Sequence, residues 1–184
     1  MYPLGMSISS KTVDLTIPAD VDLTQKERLS ILHISYLAIA ADRNLSEEEI
    51  EAFALLASRL LGRPLSTSEA SRMLGGFETH ALPKAELTAR LRTLAGDLRK
   101  SPRYVQEYDP DITSVGGVDG GETTNVPGPR HIAYRVAYAL AMCDMATSDE
   151  EFEFDLDLLD ALELTPSEGE SLAADVLNAM SDEE

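Results

Sequence analysis

Tryptophan is absent from this sequence, and aromatic residues make up only 5% of it. Hydrophobic residues nevertheless reach 43% of 184, so the core must come from Leu, Ile, Ala, Val and Met. That mixture favours packed helices over a sheet sandwich, because β-branched and aromatic runs are scarce. A single cysteine, Cys143, excludes an internal disulfide and agrees with a reducing compartment. Basic residues are few: 15 Lys and Arg stand against 33 Asp and Glu, for a formal net charge of −18. A surface of that sign repels phosphates and anionic lipid, which argues against nucleic-acid partners. It suits cations or a basic protein partner, and it also serves solubility alone. No apolar run approaches the roughly 20 residues of a membrane-spanning helix. The first ten residues have neither the basic start nor the apolar stretch of a secretory signal. A cytoplasmic location is expected.

What is present is helical punctuation. Residues 1–23 carry Pro3, Gly5 and Pro18 without a helical period and read as an irregular arm. Within it, residues 12–17 alternate and suggest an edge strand. Thr24 followed by Glu27 forms a capping box for a helix over 24–41, whose stretch SILHISYLAIAA is apolar almost all round. After a short turn at 42–45, Ser46 and Glu49 cap a second helix, with Ile50, Phe53, Ala54, Ala57, Leu60 and Leu61 as its apolar stripe. Gly62 and Pro64 end it. Ser66 and Glu69 cap a third. Pro83 opens a fourth with Leu87, Leu91, Leu94 and Leu98 at helical spacing. Residues 101–129, rich in Pro, Gly and Asp, read as a long flexible loop. Helix resumes at about Arg130 with HIAYRVAYALAMC. Ser148 and Glu151 then cap a helix with Phe152, Leu156, Leu159 and Leu162 as its expected stripe. Thr165, Pro166 and Glu168 open the last. The prediction is an all-α domain of about seven helices. Its two Ala-rich helices should pack together, with Ala40 and Ala139 at a tight contact.

The halves repeat. At an offset of 102 residues Asp42 falls on Asp144, Ser46 on Ser148, Glu48 on Glu150, Glu49 on Glu151 and Ile50 on Phe152. At an offset of 99, residues 65–69 resemble residues 164–168. An apolar helix, an acidic turn and two capped helices thus occur in order twice, over residues 24–78 and 130–180, with a connecting helix at 83–100 between them.

The segments ADRNLSEEEIE and CDMATSDEEFE carry a family resemblance. An Ala-rich helix ending in an Asp turn, then Ser and a run of acids opening an amphipathic helix, resembles the TerB-like family associated with tellurite resistance. The likeness spans most of residues 24–180. Family members carry Gly after the Asp, where this chain has Arg43 and Met145. The resemblance implies a non-enzymatic stress-response or scaffold protein whose acidic residues bind divalent cations.

The residues that could do so are Asp42, Glu48 and Glu49 with Asp144, Glu150 and Glu151. Carboxylate oxygens of this kind suit Ca²⁺, Mg²⁺ or Mn²⁺. The same acids also cap their helices and complement the helix dipole, so both readings stand. An EF-hand is excluded, because apolar helix precedes each Asp; in the 109–120 stretch Gly120 stands where a Glu is required. His33, His80 and His131 have no second ligand at zinc spacing. Cys143 reads as a small buried residue, and Tyr36, Tyr134 and Tyr138 as core. No phosphate-binding Gly loop and no nucleophile–base pair can be named. The sequence reads as non-enzymatic. The alternative to a cation-binding stress protein is an acidic helical adaptor that docks a protein partner, and the oligomeric state stays open.

Overall fold

The computed structural model describes residues 8–41, 45–76, 83–101, 127–143 and 149–181, the side chain of Glu151 excepted. Among them are eight helices and no strand: α1 (Ser10–Thr16), α2 (Gln25–Ile39), α3 (Glu47–Leu61), α4 (Thr67–Gly76), α5 (Lys84–Arg99), α6 (Pro129–Ala141), α7 (Asp149–Leu162) and α8 (Pro166–Ser181). The long loop expected at 101–129 lies almost entirely outside the described residues. Its last residues, Pro127 to Pro129, deliver α6 with proline in the first helical turn.

Local chemistry places most helix starts. Glu27 Oε2 accepts from the Thr24 amide at 2.7 Å while Thr24 Oγ1 accepts from the Glu27 amide at 3.2 Å. Glu49 and Ser46 repeat that exchange at 2.7 and 3.0 Å. Glu69 with Ser66, and Glu168 with Thr165, do the same at α4 and α8. Each box satisfies amides that a helix start would otherwise leave orphaned. At the other end of α3, Gly62 adopts φ +66, the left-handed cap a side chain resists.

The core forms around α2 and α6. These two helices make the most extensive contact in the fold; α2 also packs on α5 and α3, and α6 on α8, α7, α3, α5 and α1. Ala133, Ala137 and Ala139 are almost fully buried on α6, as is Ala38 on α2. Small side chains there let the two backbones approach. Ala139→Leu should therefore lower stability by about 1–3 kcal/mol through overpacking, read as a shifted denaturant midpoint. Ala40 differs from the sequence expectation: it caps the end of α2 and is only half-buried, so Ala40→Leu should cost less.

Two elements depart from the sequence reading. Residues 10–16, expected in an irregular arm with an edge strand, form α1. Tertiary contacts override the alternating pattern. Ser9 caps the Thr12 amide at 3.1 Å, and Thr12 and Thr16 are fully buried. The terminal carbonyls find arginines: Arg59 Nε donates to Ile17 O at 3.2 Å and Arg135 Nη1 to Leu15 O at 3.4 Å.

The second departure is the face of α7. Phe152 is 60% exposed and Leu156 51%, while Phe154, Leu158, Ala161 and Leu162 are buried. Residues 152–162 hold apolar side chains on two sides of one helix: of the expected stripe, Leu162 is buried and Leu159 half-buried, whereas Phe152 and Leu156 turn outward. Leu159 lies between the two faces and is half-buried against the core. A third side of α7 meets α5 through exposed pairs: Lys84 with Glu153, Thr88 with Asp157 at 2.9 Å, Arg92 with Asp160 at 3.8 Å, and Arg99 with Glu163. Such pairs fix register more than they add stability.

Candidate functional site

The acidic helix starts come first. Glu49 is 2% exposed and its carboxylate accepts from the Ser46 amide, so one oxygen is already committed to the helix end. Glu48 and Glu150 are exposed on the first turns of α3 and α7. Asp42 and Asp144 lie outside the described residues, and so does the side chain of Glu151. Helices α3 and α7 share no substantial contact; each packs separately on α6. Direct packing therefore does not bring the two starts together. Among the described residues, no group of three or more Asp, Glu, His or Cys is placed to hold a metal ion.

A partly buried polar pair went unmarked in the sequence. Asp155, on α7, faces α6, where the Tyr134 hydroxyl donates toward its carboxylate. Burial raises the Asp155 carboxyl above the usual range, against the pull of that hydrogen bond. It raises the Tyr134 and Tyr138 phenols as well, helped by the nearby carboxylate. The two tyrosine rings stack with centroids 6.0 Å apart and planes at 22°. Beside them is a void of about 10 Å³, walled by Ala38, Ala137, Phe154 and Leu158. That is room for about one water and for no substrate. The 102-residue offset expected from the sequence carried one signal: Asp155 stands there where α3 has fully buried Phe53.

A larger cleft of about 240 Å³ lies between residues 17–23 and the end of α3. Arg28 and Arg59 line it. Arg28 Nε donates to Leu23 O at 3.0 Å and its Nη1 to Leu60 O at 3.1 Å. Arg59 binds Ile17 O and pairs with Asp14 at 3.0 Å. Both guanidiniums staple the connector between α1 and α2 to the α3 terminus, where a cation complements the helix dipole. Their donors are taken up by backbone carbonyls and by Asp14, which makes the cleft a joint in the fold.

His131, on α6, is buried beneath α8. Its Nε2 lies 3.8 Å from Glu168 Oε1, which Arg130 also approaches, at 3.7 Å. Desolvation, and then the positive charge of Arg130, push the imidazole down to about 4. Arg135 and Asp175 pair at 2.7 Å nearby. Those neighbours make His131 a neutral core residue at pH 7.

No helix among the described residues is long and apolar enough to cross a membrane. Compared with protein-family models, with curated proteins and with solved structures, the chain has no significant match.

Proposed function

We propose that this chain is a non-enzymatic TerB-like binding protein of the cytoplasm, related to stress response, built from two copies of one helical unit. The observation that carries the reading is the order of elements: a buried apolar helix, an acid-started helix and a box-capped helix, as α2, α3, α4 and again as α6, α7, α8. The apolar members, α2 and α6, pair at the centre. Their partners α3 and α7 share the 102-residue register of burial at Ala52 and Phe154, Leu56 and Leu158, and Leu60 and Leu162.

In this reading the acidic turns take a divalent cation, with Ca²⁺, Mg²⁺ and Mn²⁺ as the ions to test. A thermal melt in chelator against rising metal reads it out. A specific ligand raises the melting point along a saturating curve, worth about 2.7 kcal/mol at a hundred times Kd. A linear rise that never saturates would reduce the effect to screening of an acidic surface. The first turn should matter more. Asp42 is followed by Asn44, a neutral oxygen donor, whereas Asp144 is followed by Met145 and Ala146. Asp42→Asn should weaken binding more than Asp144→Asn, measured by calorimetric titration. Each variant removes one charge, so equal small losses would sink the cation reading.

The second reading is an acidic adaptor, and charge distribution favours it. Residues 149–181 hold eleven acidic side chains and no Lys or Arg.

A further inference from the structure

Helix α7 is the place where a partner would be felt. The large exposed hydrophobics among the described residues are Leu29, Leu45, Leu55, Phe152 and Leu156. The first three lie on α2, ahead of α3 and within α3. Phe152 and Leu156 lie one helical turn apart on a single face, and Leu159 continues the row inward to the core. The row is about 10 Å long at 1.5 Å per residue. Isolated exposed apolar side chains are ordinary, but an ordered row is a feature of binding surfaces.

The surroundings of that row are mainly acidic: Asp149 and Glu150 are exposed on the first turn of α7, while α5 brings Lys84, Arg92 and Arg99 along one edge. Asp149 precedes Phe152 by three residues and Asp160 follows Leu156 by four, which sets both carboxylates beside the same face; Glu163 lies past the end of α7 and pairs with Arg99. Asp160 keeps 76% of its side chain exposed, and its contact with Arg92 is a loose 3.8 Å. Neither α7 nor α8 supplies a base, and those of α5 pair with Glu153, Asp160 and Glu163, which leaves the edge at Asp149 and Glu150 acidic. Water is a poor solvent for the row and a good one for the rim, so the complementary surface is apolar at its centre and cationic at its edges. A helix with Leu-type residues at i, i+3 and i+4 and Lys or Arg on its flanks meets both conditions. Its ridges match the one-turn spacing of Phe152 and Leu156.

We propose that the outer face of α7, centred on Phe152 and Leu156, docks a cationic amphipathic helix of a partner protein. This rests on the adaptor reading and names its surface and its partner class. Electrostatics would speed the encounter, and the apolar row would set specificity.

The test uses the full chain and two labelled peptides of 18 residues, both made of Leu and Lys in equal composition. One places Leu at helical spacing; the other disperses it. Fluorescence anisotropy at physiological ionic strength should give at least tenfold tighter binding of the first. The double variant Phe152→Ser with Leu156→Ser should abolish that preference, while Leu29→Ser should leave it intact. All three side chains are exposed, so an unchanged thermal melt confirms that the fold is retained. Equal binding of both peptides overturns the proposal and the adaptor reading with it, since only diffuse charge attraction would remain. A preference that survives the double variant overturns this surface while leaving the adaptor reading standing. A dimer of the chain that the double variant dissociates, seen by sedimentation, assigns the face to a second copy and also overturns it.

Discussion

Replacing Phe53 by alanine should remove about 3–5 kcal/mol of stability, the range for a large side chain lost from a packed core. Phe53 is 0% exposed, in the middle of α3, and its ring belongs to the cluster that α2 and α6 complete. Truncation leaves a cavity that neighbouring helices cannot close without moving their backbones. A loss of that size is a large share of the 5–15 kcal/mol that holds an ordinary domain together. Phe152→Ala is the matched control. The same chemical change on the 60%-exposed ring of α7 should stay within about 0.5 kcal/mol. Denaturant midpoints for both variants check the pair. Similar losses would mean that the outer face of α7 is packed in solution.

Acidification should cost the fold about 3 kcal/mol through His131 alone. The folded state holds this imidazole at about 4, against 6.5 for an ordinary histidine. Between those values the unfolded chain binds a proton that the folded chain refuses. Unfolding is then favoured as pH falls, and the loss accumulates from about 6.5 down to about 4. The first cause is desolvation; a charged ring would also face Arg130 and Arg135, and Glu168 returns only part of that cost. Asp155 has the opposite sign. Its raised carboxyl binds a proton more tightly in the folded state, so its contribution is present at acid pH and fades as pH climbs past the usual carboxylate value. Protonating surface carboxylates also relieves self-repulsion in so acidic a chain. The wild-type curve alone is therefore ambiguous, and the readout is its difference from His131→Gln. Stability of that variant should fall less steeply from pH 6.5 to 4. Parallel curves would show that His131 takes its proton without resistance.

The capping boxes were the most legible part of this chain. Thr24 with Glu27, Ser46 with Glu49, Ser66 with Glu69, and Thr165 with Glu168 are local signals, and each stands where its spacing put it. The central pairing of α2 with α6 was legible for a different reason: a helix apolar on all sides has nowhere else to go. What failed was the choice between faces. From Phe152 to Leu162 seven apolar residues satisfy two helical stripes, and only the packing of α6 and α5 decides which one turns inward. Residues 12–17 failed similarly, since alternation there competes with contacts from Arg59 and Arg135, 42 and 120 residues away in sequence. Asp155 could not be distinguished from the other acids of α7, because what sets it apart is its contact with Tyr134, which belongs to α6. Of the candidate acidic residues, Glu49 is occupied as a helix cap, while Asp42 and Asp144 fall outside the described residues.

The buried thiol at the end of α6 makes the molecule its own stopwatch. Cys143 is 1% exposed, its Sγ donates to the Leu140 carbonyl at 2.9 Å, and the chain contains no second cysteine to confuse a signal. A thiol reagent can reach it only when the end of α6 lifts away from its neighbours. The rate of modification, divided by the rate for a free thiol, gives the fraction of time that this end stands open. The same unlabelled chain would then report whether a cation or a docked helix holds α6 closed.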